Sequence, residues 1–243
     1  MVEIHLCTNT KVTIPKGKFI RTPGNHDGYC AVNADTRYYY TKDEIYDLFF
    51  RDLSTEQNIH FDSYGTSLYV DDLASKTRFI GVDTNKVFEN NVAVGDTIKQ
   101  SQLDWLSNEA LKFNEPGWAI VFFSHQPISN HGHANISNPK AMYDLLTTYK
   151  NGSDPNKADF IGWFSGHLHK DLEYDVGADG TALPFHQVII SSDATNIAYD
   201  DATKHPLDAS DQSHCIDFVT INRKSREVKI TRLGIGNDRT YQY

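Results

Sequence analysis

Basic residues are in short supply. The chain of 243 residues carries 23 Lys and Arg against 32 Asp and Glu, a net charge of -9, and its basic residues cluster only in scattered pairs such as Arg223-Lys224. Sequence-independent binding to duplex nucleic acid depends on Lys and Arg neutralising phosphates, so this balance disfavours it. A small phosphate ester or nucleotide stays compatible, because bound metal ions supply locally the positive charge that the surface lacks. Long apolar runs are missing too. No stretch approaches the roughly 18 residues of a membrane span, and Val2 to Thr13 is interrupted by Glu3, His5, Asn9 and Lys11, unlike a secretory signal. The expectation is a cytoplasmic protein without a membrane partner, unless a signal once preceded Met1. Cysteine is scarce: Cys7, Cys30 and Cys215 are odd in number, widely spaced and without a CxxC pair. They read as free thiols in a reducing compartment. Linkers rich in Pro, Gly and Ser, internal repeats and low-complexity tracts are also lacking, which points to a single domain over residues 1–243.

What is present suits an α/β globule, with 39% hydrophobic and 12% aromatic residues. Thr41-Lys42-Asp43-Glu44 is a capping box, and Ile45, Leu48 and Phe49 follow at helical spacing, so a helix is expected over about 42–52. Ser67 to Asp71 and Arg78 to Asp83 read as paired strands. Ser101 is expected to cap a second helix with Leu103, Leu106, Ala110 and Leu111 in one stripe. Asn138 is expected to cap a third, with Pro139 at its first position and Met142, Leu145, Leu146 and Tyr149 inward. Later strands are expected at Gln187 to Ile190, Cys215 to Ile221 and Glu227 to Leu233, the last two as a hairpin.

Three histidine-bearing loops stand out against this background. Gly24-Asn25-His26-Asp27, Phe123-Ser124-His125-Gln126-Pro127 and Gly166-His167-Leu168-His169 each follow an apolar run that reads as a buried strand: Lys18 to Thr22, Trp118 to Phe123 and Asp159 to Phe164. In open α/β sheets, ligands bind outside the carboxyl ends of strands, where loops far apart in sequence converge. One Asn and several His brought together there make a transition-metal donor set. In extended backbone, alternate side chains share a face, so His167 and His169 can point to one side. Taken alone, Asn25-His26 also suits a surface turn, with Asp27 as its hydrogen-bonding brace, and His125 suits a satisfied strand-end residue. His131 and His133 follow in a Gly- and Asn-rich loop and are candidates for substrate contact.

The order of these motifs resembles the calcineurin-like metallophosphoesterases, whose pattern runs D-x-H, G-D, G-N-H-[DE], a lone His and G-H-x-H. The resemblance implies an αββα sandwich with mixed sheets and a phosphomonoesterase or phosphodiesterase that uses two divalent metals (Mn, Fe, Zn or Ni) and a hydroxide nucleophile. It further implies Asn25, His125 and His167 as ligands of the second metal, His169 as a ligand of the first, and His26 beside the leaving-group oxygen. The family's D-x-H and G-D have no counterpart here. Only 23 residues precede Gly24, too few for two strand-and-helix units, each connection needing at least about 10 to 12 residues. Glu3-Ile4-His5 is an incidental imitation. The expectation is an N-terminally incomplete domain missing its first two strand-helix units, holding one metal or fewer and impaired in hydrolysis. The closing segment, Arg232 to Arg239, resembles bacterial and prophage-borne members. Two other readings stay open: a non-catalytic phage or cell-surface interaction module, and a single-metal structural protein.

Overall fold

Four apolar runs with little alternation, each ending in a polar loop, assemble as parallel neighbours at the centre of a seven-stranded mixed sheet. The computed structural model describes residues 2–6, 18–25, 27, 29–33, 36–53, 58–63, 65–85, 97–131, 136–191 and 215–243. The parallel strands are β7 (Thr77–Val82), β8 (Ala119–Ser124), β9 (Asp159–Ser165) and β11 (Ala182–Ile189). Strands covered on both faces read as continuous apolar sequence, and every residue of β7 and β8 is buried. Antiparallel strands complete the edges: β10 (Leu172–Val176) beside β11, then β6 (Leu68–Asp72) and β5 (Ile59–Phe61) beyond β7. β6 and β7 are in register Leu68 to Gly81, around the turn expected at Ala74 to Lys76.

One face of this sheet is covered by helices. Ile80, Val82, Ile120, Phe122 and Trp163 project into a core with Leu103, Trp105 and Leu106 from one helical segment and Met142, Tyr143 and Leu146 from another. The opposite face packs Phe79, Val121, Phe123, Ile161 and Phe164 against Val228 and Ile230 of a three-stranded antiparallel sheet, with Ile20, Ile45 and Phe49 alongside. That sheet is β12 (Cys215–Asn222), β13 (Glu227–Gly234) and β14 (Arg239–Gln242). The layering agrees with the sandwich expected. A register shift between Ile120 and Val121 against β9 makes a bulge that lets Ile161 face the second sheet and Trp163 the helices. Gly162 lies in this bulge, where a Cβ would overlap Tyr241 Oη of β14.

Two shorter pairs complete the fold, β1 (Val2–Leu6) with β2 (Lys18–Thr22) and β3 (Tyr29–Asn33) with β4 (Thr36–Tyr39), both antiparallel. β2 passes close to β7, since a Cβ on Gly81 would lie 3.2 Å from Thr22 Cγ2. The end of β2 therefore reaches the carboxyl edge of the large sheet.

Helix α1 (Lys42–Phe49) forms as its capping box requires, with Glu44 N–H donating to Thr41 Oγ1 and Thr41 N–H donating to Glu44 Oε2 at 2.7 Å. Two expected caps are corrected. Helix α2 (Gln100–Trp105) starts before Ser101, with Lys99 at its N-cap, because buried Gln102 accepts the Lys99 N–H (2.8 Å) and donates to Ser67 Oγ and Asp83 O. It continues as a π-helical turn over Leu106–Ala110, closed by Leu111 N–H to Leu106 O. Asn138 precedes α3 (Pro139–Asn151), yet its side chain does not cap that helix; Oδ1 accepts the Ile98 N–H at 2.8 Å, tying α3 to the segment before α2. Among the described residues no helix is long and apolar enough to cross a membrane.

Candidate functional site

The carboxyl ends of β8 and β9 lie side by side, and their ladder continues one step beyond the Ser124 and Ser165 pair, with Gly166 N–H donating to His125 O at 3.0 Å. This bond brings the His125 loop against the Gly166-His167-Leu168-His169 loop. His167 adopts φ +70°, and Leu168 N–H donates to Gly166 O at 2.8 Å, closing a three-residue turn around the histidine. The turn swings His167 Nδ1 to 3.2 Å from His125 Nε2, with the two rings edge to face and centroids 5.1 Å apart.

The third component comes from the loop after β2. Asp27 N–H donates to Gly24 O (3.0 Å) and Gly24 N–H to Asp27 Oδ2 (2.7 Å), so Asp27 is the brace of a tight turn. A Cβ on Gly24 would stand 3.1 Å from the His125 ring, and the glycine thus allows the turn to lie against it. Asn25 Oδ1 consequently reaches 2.8 Å from His125 Nε2.

His125 Nε2 thus faces an amide oxygen and a second imidazole nitrogen at once. A proton on Nε2 can serve both only as a shared hydrogen bond, whereas a cation accepts all three lone pairs together. The donor chemistry fits a divalent transition metal: imidazole nitrogens and a neutral oxygen. Spacings of 2.8 and 3.2 Å also bracket the about 3 Å between adjacent ligands on bonds of roughly 2.0 to 2.2 Å at right angles.

A buried polar relay supports this convergence. Ser124 Oγ donates to Gln126 O (2.6 Å) and accepts from Trp163 Nε1 (2.8 Å). Gln126 Oε1 accepts from Thr84 Oγ1 while its Nε2 donates to Asn85 Oδ1 at 3.1 Å. Asn85 Nδ2 in turn donates to Pro23 O (2.8 Å) and Asp83 Oδ1 (3.0 Å), reaching the loop that carries Asn25. Sequence reasoning did not single out Asn85; its signal was a polar Asp83-Thr84-Asn85 run directly after an apolar strand.

Of the remaining candidates, His131 and His169 lie among the described residues. Among the described residues no three His, Cys, Asp or Glu side chains are grouped to hold a metal. The backbone of His169, at φ +53°, accepts from Ser191 Oγ at 3.1 Å. His131 Nε2 lies 2.9 Å from Val176 O and its ring stacks on Tyr174 at 3.7 Å, engaging β10. His26 and His133 lie outside the described residues.

Below the loop after β9 sits a charge cluster. Arg232 forks onto Asp171, with Nη1 to Oδ2 at 2.8 Å and Nη2 to Oδ1 at 2.6 Å, and its Nε donates to Asp217 Oδ1 at 2.6 Å. Arg239 also pairs with Asp217. The side chains of Arg232 and Asp217 are almost fully buried. Burial opposes the Arg232 charge, but the hydrogen bonds and charges of Asp171 and Asp217 outweigh it and raise its pKa above the usual guanidinium value.

A family model described as calcineurin-like phosphoesterase matches residues 6–171, about two thirds of the chain and all three histidine loops. No curated protein matches the chain.

Proposed function

We propose that this chain, which belongs to the calcineurin-like phosphoesterase family, hydrolyses phosphoric esters with a divalent transition metal held by Asn25, His125 and His167. The observation that carries this reading is the approach of Asn25 Oδ1 and His167 Nδ1 to one nitrogen, His125 Nε2. When bound, such a cation polarises a phosphoryl oxygen and lowers the pKa of water.

The chain's own residues do the rest. All three donors are neutral, which leaves the full positive charge to attract a phosphate on a protein of net charge -9. The imidazoles ligate only when their lone pairs are free of protons, so acid weakens the site. The relay through Gln126 and Asn85 holds the two loops at fixed spacing, limiting reorganisation as charge develops. His26, next to Asn25 in sequence, is assigned the proton given to the leaving oxygen. The substrate is a phosphate monoester or diester of a small molecule or nucleotide. With a described donor set for one cation, turnover is expected to be slow beside that of two-metal enzymes.

A second reading, a structural single-metal protein, draws on the same approach of Asn25 and His167 to His125, which suits one cation. Hydrolysis of an aryl phosphate and a bis-aryl phosphodiester, with added Mn²⁺ or Ni²⁺ and after chelation, separates the two. Metal-dependent turnover supports the enzyme. Tightly bound metal without turnover supports the structural protein, and absence of both metal and turnover refutes each.

A further inference from the structure

The loop that carries His167 is held in an unfavourable conformation. His167 and His169 both have positive φ, at 70° and 53°, a conformation that non-glycine residues keep only where surrounding contacts over-determine it. Part of that constraint is local. Leu168, between the two histidines, is buried against Ile189, and Gly166 N–H is fixed on His125 O.

The rest comes from two places beyond the matched region ending at residue 171, Ser191 just after β11 and the C-terminal sheet. Ser191 links two points of the loop, its Oγ donating to His169 O at 3.1 Å and its N–H donating to Asp171 Oδ1 at 3.1 Å. Asp171 is gripped by both terminal nitrogens of Arg232, a bidentate geometry that fixes orientation as well as distance. Arg232 is itself anchored from behind by Asp217 and by Ile235 O. Gly236, at φ +114°, makes room: a Cβ there would overlap Arg232 Nη1 and lie 2.9 Å from Asp171 Oδ2.

We propose that Arg232 and Ser191 are positioning residues for the metal site, acting through Asp171 and the His169 carbonyl to hold the turn that aims His167 at His125. This rests on the reading of Asn25, His125 and His167 as metal donors. Arg232 of β13 is on this account part of the site's support, although it supplies no donor to it, whereas the rest of that sheet acts on stability alone.

The test is Mn²⁺ titration of the full chain by isothermal calorimetry, with folding followed by circular dichroism. Groups that orient ligands from behind typically carry 10- to 100-fold in metal affinity. Ser191→Ala is expected to weaken Mn²⁺ binding about tenfold and Arg232→Gln toward the upper end of that range. Arg223→Ala is the structural control. Arg223 ties the same sheet to the body of the protein, donating to Ser75, Lys76 and Gly117 carbonyls, so its loss should lower the melting temperature while leaving Mn²⁺ affinity unchanged. Should Arg232→Gln fail to fold, Ser191→Ala decides. Unchanged affinity in Ser191→Ala, or an equal loss in Arg223→Ala, overturns the positioning role while the functional reading stands. Wild-type protein that binds no Mn²⁺, nor any other divalent transition metal, overturns both.

Discussion

Asn25 Oδ1 and His125 Nε2 lie 2.8 Å apart across 100 residues of chain. Neither side chain reaches this position by itself. The Asn arrives through a turn braced by Asp27, and the His through a buried strand whose terminal Ser124 is bonded on two sides. Three donors so placed should behave as one unit.

Removing a donor and removing a proton source should therefore have different signatures. His167→Ala is expected to lose bound metal and hydrolysis together, as should Asn25→Ala. His26→Ala should keep its metal while turnover falls by about 10²- to 10⁴-fold, the usual contribution of general acid catalysis. Metal analysis by mass spectrometry beside a phosphodiester assay distinguishes them; equal metal loss in all three would remove His26 from the acid role.

Charge makes a second prediction. With 32 acidic residues against 23 basic ones, fluorescence anisotropy should detect no binding to a duplex oligonucleotide at physiological salt. An affinity in the micromolar range that fell steeply with added salt would contradict the reading of charge.

The bulge in β9 gives a prediction of stability. Gly162→Ala would set a methyl group against Tyr241 Oη, on a tyrosine packed into the core between the sheets. Overpacking of this kind costs about 1 to 3 kcal/mol, and each kcal/mol lowers the melting temperature of a chain this size by roughly 2 to 4 °C. A thermal melt indistinguishable from wild type would show that the sheets separate more readily than this contact implies.

Cys215 supplies a pH dependence. Burial pushes its thiol up from 9.0 to about 11, with nearby Arg232 opposing. The folded state therefore holds this proton more tightly than the unfolded state. Its stabilising contribution is complete below pH 9 and is lost as pH rises from 9 through 11. Urea melts of Cys215→Ala across that window should show a shallower loss of stability than wild type; parallel curves would mean that Cys215 does not contribute.

The three loops were legible because their chemistry is local: apolar strand, glycine or polar break, histidine. The strands around them followed from composition, and the Thr41 to Glu44 box announced α1. What escaped was decided over distance. Ser101 has the chemistry of a cap, but Gln102, bonded to Ser67 and Asp83 far along the chain, sets the start of α2 two residues earlier, with Lys99 as the cap. Asn138 had the chemistry of a cap and spent it on Ile98. The Arg232 fork joins residues 61 positions apart, and no periodicity marks such a pair. Asn85 was hidden for the same reason, since its value lies in touching Pro23 and Gln126 together.

The separation of His125 and His167 starts from the strand spacing of the sheet, which the turn at His167 then carries forward. Neighbouring strands lie about 4.8 Å apart, and the two imidazoles, one residue past the end of β8 and two past the end of β9, have centroids 5.1 Å apart. Helix α3 packs on the helical face of the sheet, through Met142, Tyr143 and Leu146. Descendants of this chain are thus free to lengthen, shorten or replace the connection on the helical side while the two histidines keep their gauge.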